Sequence, residues 1–169
     1  LAIPPAATVC LDCSQSAGRL PLRLAESRAE LAVVSGHKMF GPPGTGTVYV
    51  RRDQHHRIAV DRAAARSGPA RHVSPLTDAA EEGSLDGAGA AGLASATAFL
   101  ESIGLDRVGG HLTTLAARFA DGAARIGGVT LLGPPVDAGR PHSGIAAFAL
   151  DGQAGADVAF ALERRGVYV

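Results

Sequence analysis

Three short apolar runs, each closed by polar residues, set the pattern of the first third of the chain. Ala7 to Leu11 reads A-T-V-C-L and stops at Asp12. Leu31 to Val34 reads L-A-V-V and stops at Ser35. Thr47 to Val50 reads T-V-Y-V and stops at Arg51 and Arg52. Runs of this length, free of charge and rich in β-branched residues, predict strands buried in a sheet. Polar residues gathered at the C-terminal strand ends are what an open parallel or mixed α/β sheet offers to a ligand.

From Gln54 to Asp86 the periodicity fades, and Gly68-Pro69 and Ser74-Pro75 break any helix. A loop this long in a compact domain is expected to be functional or to meet a partner. Gly87 to Ile103 is alanine-rich and predicts a helix ended by Gly104. Asp106 is expected to cap a second helix, with Val108, Leu112, Leu115, Ala116 and Phe119 on its inner face and Gly127-Gly128 at its end. The last third changes character. Val129 to Leu132 and Gly144 to Leu150 predict strands, Asp157 to Arg165 a helix, and Val167 onward another strand. That order describes a small α+β lobe. The expected division is therefore 1–127, an α/β domain with its connecting helices, and 128–169, the start of a smaller lobe.

Composition narrows the class. The 169 residues carry 16 Lys and Arg against 16 Asp and Glu, a formal net charge of zero. Zero balance argues against nucleic acid or an anionic membrane as partner. No apolar run approaches the roughly 20 residues needed to span a bilayer. Aromatic residues make up only 4%, so a core must be built from Val, Leu, Ile and Ala. Cys10 and Cys13 form a C-x-x-C pair without a second ligand pair, so zinc is disfavoured. They read as reduced, mostly buried thiols, which points to the cytoplasm. His55 and His56 lack partners at ligand spacing and are expected on a solvated face.

The chemistry centres on Lys38, the only lysine among those 16 basic side chains. It ends the run Ser35-Gly36-His37-Lys38, just past a predicted strand. A glycine/proline loop, Gly41-Pro42-Pro43-Gly44-Thr45-Gly46, follows. That loop imitates the opening of a nucleotide-binding P-loop. A P-loop needs Lys and then Ser or Thr after its last glycine, and a helix beyond. Thr47 and Val48 stand there instead, and a strand follows, so the loop is expected to bring backbone close to a cofactor.

Two segments taken together carry a family resemblance: D-C-S-Q-S-A-G-R-L from Asp12 to Leu20, and S-G-H-K-M-F-G-P-P-G-T-G from Ser35 to Gly46. In this order and spacing the chain resembles class V aminotransferases of fold type I, in particular the cysteine desulfurase and selenocysteine lyase branch. Weaker similarity runs through Glu81 to Ser84, Gly104 to Arg107 and Gly128 to Pro134. The resemblance implies the second half of a large α/β domain with a mixed, mostly parallel sheet, followed by a partial small α+β domain. It implies pyridoxal 5'-phosphate as cofactor. Lys38 would hold it as a Schiff base and then move the substrate's α-proton. Asp12 would pair with the pyridine nitrogen, Gln15 with the phenolic oxygen, and Ser35 and His37 with the phosphate. Ser84 stands where the family's dimer lends a hydroxyl to the neighbouring subunit's phosphate site.

The implied activity is C–S or C–Se cleavage in an amino acid by a cytoplasmic homodimer. The alternatives are a class V transaminase or epimerase, or a structural fragment without catalysis. Members of that family are much longer. The chain starts without Met and ends on a strand-like Gly166-Val167-Tyr168-Val169, so a fragment is expected. The residue stacked on the pyridine ring, the arginine that grips the substrate carboxylate and the desulfurase's nucleophilic cysteine are expected outside it. Neither Cys10 nor Cys13 matches that cysteine.

Overall fold

The computed structural model describes residues 4, 6–57, 86–137 and 142–169. The chain forms two compact units, Leu1–Ile103 and Gly104–Val169. In the first, the three apolar runs make a sheet of order β1-β2-β3, with β1 Cys10–Asp12, β2 Leu31–Ser35 and β3 Gly46–Val50. β1 and β2 are parallel, with Asp12 opposite Val33, while β3 returns antiparallel with Gly46 opposite Ser35. The sheet is mixed, as expected, and the C-terminal ends of β1 and β2 share one edge.

β1 is shorter than its apolar run. The Val9 carbonyl accepts the amides of both Glu30 (2.9 Å) and Leu31 (3.2 Å), and its own N–H goes to Glu30 Oε2 at 3.0 Å. Those bonds tie the strand entrance to a side chain and leave the ladder to start at Cys10. Past Asp12 the chain curls: the Cys13 carbonyl accepts the amides of Ser16 and Ala17. This curl drives Cys13 and Ala17 against Ala32, and Leu24, Val34, Met39 and Tyr49 pack around them. The result is a small-residue core, as the scarcity of aromatics requires. Cys13 is buried, but Cys10 is exposed, contrary to expectation, and both are free thiols.

Helix α1 spans Gly87–Ile103, the bounds read from the sequence. It buries Gly89, Ala96 and Leu100, and the missing side chains of Gly89 and Gly92 let it approach Thr45 and Pro42 of the loop after β2 closely.

In the second unit, α2 (Leu105–Ala123) packs on a two-stranded antiparallel sheet of β4 (Val129–Leu132) and β5 (Ala147–Leu150), and α3 (Gly155–Glu163) packs against β5. Three sequence expectations are corrected here. Asp106 does not cap α2. Gly104, at φ 87°, takes the cap position and Asp106 falls in the first turn, where its charge complements the helix N-terminus. Ala116 is buried as expected, but the buried line runs through Gly109 and Ala123 rather than the larger residues, and Leu115 and Phe119 are exposed. Finally, Val167 to Val169 do not continue into a strand. Gly166, at φ 78°, ends α3, with the Gly166 amide on the Glu163 carbonyl and the Val167 amide on the Leu162 carbonyl. These bonds form a helix-terminating glycine motif. No single helix among the described residues is long and apolar enough to cross a membrane.

Candidate functional site

The shared edge of β1 and β2 gathers the polar residues. Asp12 is the last residue of β1 and Ser35 the last of β2. Directly after Ser35 the chain enters a single 3-10 turn, Gly36–Met39, that carries His37 and Lys38. A parallel pair turns both C-terminal ends the same way. The pairing of β1 with β2 therefore brings Asp12 and the lysine turn to one edge.

The Asp12 carboxylate is exposed and accepts the Ser14 backbone N–H at 2.9 Å. Its pKa is held below the ordinary carboxylate value. The causes are first the Ser14 side chain, then the Ser14 N–H, with the positive charge of Lys38 adding to them against a small desolvation cost. Gln15 is exposed on the curl after β1. Ser35 Oγ and His37 Nδ1 lie 3.1 Å apart. Lys38 and His37 are both exposed. Ser84 lies outside the described residues. No group of three His, Cys, Asp or Glu among the described residues is arranged to hold a metal ion.

Glycine sets the turn's shape. The Gly36 N–H donates to the Thr45 carbonyl at 2.8 Å and the Gly41 N–H to the Gly36 carbonyl at 2.9 Å. A Cβ on Gly36 would fall on Thr45 Oγ1 and lie 3.0 Å from the Thr45 carbonyl oxygen and 3.2 Å from Leu93 of α1. The glycine/proline loop thus folds back under the lysine turn and runs into β3. A P-loop would run into a helix, so the nucleotide reading fails on structure as well as on sequence.

Sequence reasoning missed three contributors. Ser14 orients Asp12, and the D-x-S spacing of an Asx turn could have exposed it. Thr45 receives the turn's first amide and ties its own Oγ1 to the Pro42 carbonyl at 2.6 Å. Phe40 closes the turn with φ 66°, the only positive φ of a non-glycine residue among those described. No local pattern announces that conformation in a bulky residue.

A family model described as aminotransferase class-V matches residues 4–169. A probable cysteine desulfurase 2 of Mycobacterium leprae is 31% identical over 173 residues, covering 96% of this chain and 40% of that protein. The apo structure of a cysteine desulfurase from Thermococcus onnurineus superposes with a TM-score of 0.74 at 25% identity, over 96% of this chain and 41% of that one. A C-DES variant with glycine covalently linked to its PLP cofactor gives a TM-score of 0.74 at 21% identity, over 91% of this chain and 41% of the other. The chain therefore spans about 40% of the length of the relatives it matches.

Proposed function

Because the chain belongs to the class-V aminotransferase family, we propose that it supplies the lysine-bearing part of a pyridoxal 5'-phosphate site in a cysteine desulfurase-like enzyme. The observation that carries this reading is one edge. The exposed Lys38 stands on the turn that follows β2, Asp12 ends β1, and the two strands are parallel neighbours whose C-terminal ends share that edge. The cysteine desulfurases among the relatives favour this reaction over transamination or epimerisation.

The residues fit the group. Asp12 keeps its charge under the Ser14 bonds, as an anion must to hold a protonated ring nitrogen. Ser35 and His37 form a hydroxyl–imidazole pair next to the turn, a donor set suited to phosphate. Backbone packed as closely as Gly36 against Thr45 leaves the turn little freedom, so the amine is presented from a fixed base. When bound, the cofactor supplies an electron sink for the bonds around the substrate's α-carbon.

Each residue then has a task. Lys38 Nζ is the primary amine that would hold the cofactor's aldehyde carbon, and the base that would take and return the proton at the substrate's α-carbon. Asp12 retains the proton on the ring nitrogen by charge. Gln15 directs its side-chain amide to the phenolic oxygen. Ser35 and His37 anchor the phosphate. Cys13 is not the acceptor for sulfur, since it is 3% exposed within the core and cannot meet substrate.

On the same reading the enzyme is a cytoplasmic homodimer, in which the Ser84 hydroxyl completes the neighbouring subunit's phosphate site. The free thiols Cys10 and Cys13 accord with a reducing compartment.

The test is spectroscopic and chemical. The full protein is given pyridoxal phosphate and then L-cysteine. A visible band that borohydride removes, with release of alanine and sulfide under reductant, is expected for the wild type. The Lys38→Ala protein should give neither. Equal spectra for the two proteins would sink the cofactor reading, and a normal band with no alanine would sink the desulfurase assignment alone.

A further inference from the structure

Phe40 presents a problem that the proposed chemistry leaves open. It closes the lysine turn in the left-handed conformation, φ 66° and ψ 5°, and donates its N–H to the Gly36 carbonyl. A bulky side chain there is a backbone outlier, and such outliers persist only where their surroundings over-determine them. Burial does not supply the constraint, because Phe40 is 72% exposed.

What touches the ring is α1. The rings of Phe40 and Phe99 meet edge to face, with centroids 5.6 Å apart and planes at 85°. The same helix reaches both flanks of the turn. A Cβ on Gly41 would come 2.9 Å from Leu93 Cδ1, and one on Gly18 would come 2.6 Å from Met39 Cβ and 3.0 Å from Leu100 Cδ1. Leu93 therefore lies against Gly36 and Gly41 at the turn's two ends, Leu100 backs the Gly18 that packs on Met39, and Phe99 meets the residue that closes the turn. An edge-to-face pair is directional, so this contact selects one position of the Phe40 ring and, through it, one backbone conformation.

We propose that Phe99 is a positioning residue for Lys38. Its ring holds Phe40 in the left-handed conformation that closes the Gly36–Met39 turn, and so fixes the direction in which Lys38 Nζ meets pyridoxal phosphate. The inference rests on the reading of Lys38 as the cofactor's amine. It adds α1 to the site without any contact between Phe99 and the cofactor.

The test measures labelling rather than turnover. The full protein is incubated with pyridoxal phosphate, reduced with borohydride at timed intervals, and the label on the Lys38 peptide is quantified by mass spectrometry. Phe99→Ala is expected to slow labelling by about threefold to tenfold, the worth of an edge-to-face pair, at an unchanged far-ultraviolet spectrum. Phe99→Tyr, which keeps the ring edge, restores the wild-type rate. In a Phe40→Gly background, where a glycine adopts positive φ unaided, Phe99→Ala has no further effect, because the two residues act as one unit.

Labelling of folded Phe99→Ala at the wild-type rate overturns the proposal. So does an equal slowing with and without Phe40. If Phe99→Ala does not fold, Phe99→Leu decides by the same criterion, since it keeps apolar bulk without the ring. A wild type that takes no label on Lys38 overturns the cofactor reading and this inference together. Normal wild-type labelling that is indifferent to Phe99 overturns this inference alone.

Discussion

Ser35 Oγ and His37 Nδ1 stand 3.1 Å apart, and this contact joins the last residue of a strand to the turn that carries the lysine. The Ser35 hydroxyl is not spent on capping that turn, since it makes no side-chain cap bond to it. On the proposed reading both bind phosphate. Ser35→Ala and His37→Gln should each weaken pyridoxal phosphate binding by about tenfold or more, the loss of one hydrogen bond to a charged group. Pyridoxal, which lacks the phosphate, should bind as it does to wild type. Equal losses for both compounds in a titration of the visible band would show that the pair shapes the turn instead.

Gly36 tests the base on which the amine stands. A methyl group there meets Thr45 Oγ1 and the Thr45 carbonyl, and backbone cannot yield as a flexible side-chain tip does. Gly36→Ala should cost about 1–3 kcal/mol, the usual price of overpacking, and should weaken cofactor binding along with it. Gly44→Ala is an instructive control. Nothing lies within 4 Å of its added Cβ, yet its φ of +81° makes the substitution strained by conformation alone. Urea midpoints for the two variants separate the steric cost from the conformational one, and an undisturbed Gly36→Ala protein would contradict the close packing of the turn.

The sheet and the lysine turn were legible because their signals are local. An apolar run ending in a polar residue marks a strand and its edge, and Asp12, Ser35 and Lys38 lie within a few residues of such stops. α1 was legible to the residue, since alanine-rich sequence bounded by Asp86 and Gly104 leaves few other endings. What failed depends on partners distant in the chain. Val9 leaves the strand because Glu30 takes its amide. Leu115 and Phe119 carry the same spacing as the buried Ala116, yet they are exposed and Gly109 is buried instead. Phe40 has the same origin: the contact that accompanies its φ comes from a helix 59 positions on, at Phe99.

Glu30 and Arg51 fasten the far end of the first sheet. Glu30 Oε2 accepts the Val9 N–H at 3.0 Å, and Glu30 Oε1 lies 3.7 Å from Arg51, whose Nε donates to Asp53 at 2.8 Å. Arg51, which stops the third apolar run, links Glu30 just before β2 to Asp53 just after β3. Glu30→Ala removes the acceptor and leaves a backbone donor without its partner, at about 1–2 kcal/mol. Glu30→Gln keeps an acceptor and loses only the ion pair, which at a partly exposed site is worth under about 1 kcal/mol. Chemical denaturation should therefore rank the wild type first, Glu30→Gln second and Glu30→Ala last. A reversed order of the two variants would mean that the charge pair, not the Val9 bond, holds the strand entrance.

Two carboxylates give the molecule a predictable acid response. Asp12 is held below its ordinary pKa by the Ser14 side chain and backbone N–H, with Lys38 adding to them, and Asp53 is lowered chiefly by its bond from Arg51. A folded pKa below the unfolded one means that the folded state binds the proton less readily. The stabilisation is then complete above the unfolded value, about 3.9 for Asp, and is lost as pH falls through the folded value. Stability should hold on the neutral side and decline below about pH 4. Ser14→Ala should move the Asp12 titration upward toward the ordinary value, whereas Asp53 should titrate as before, since its own partner is Arg51. Carboxyl carbon shifts followed by NMR across that range read both groups separately. An Asp12 that titrates at or above the ordinary value in the wild type would remove the ionised partner on which the site's reading depends.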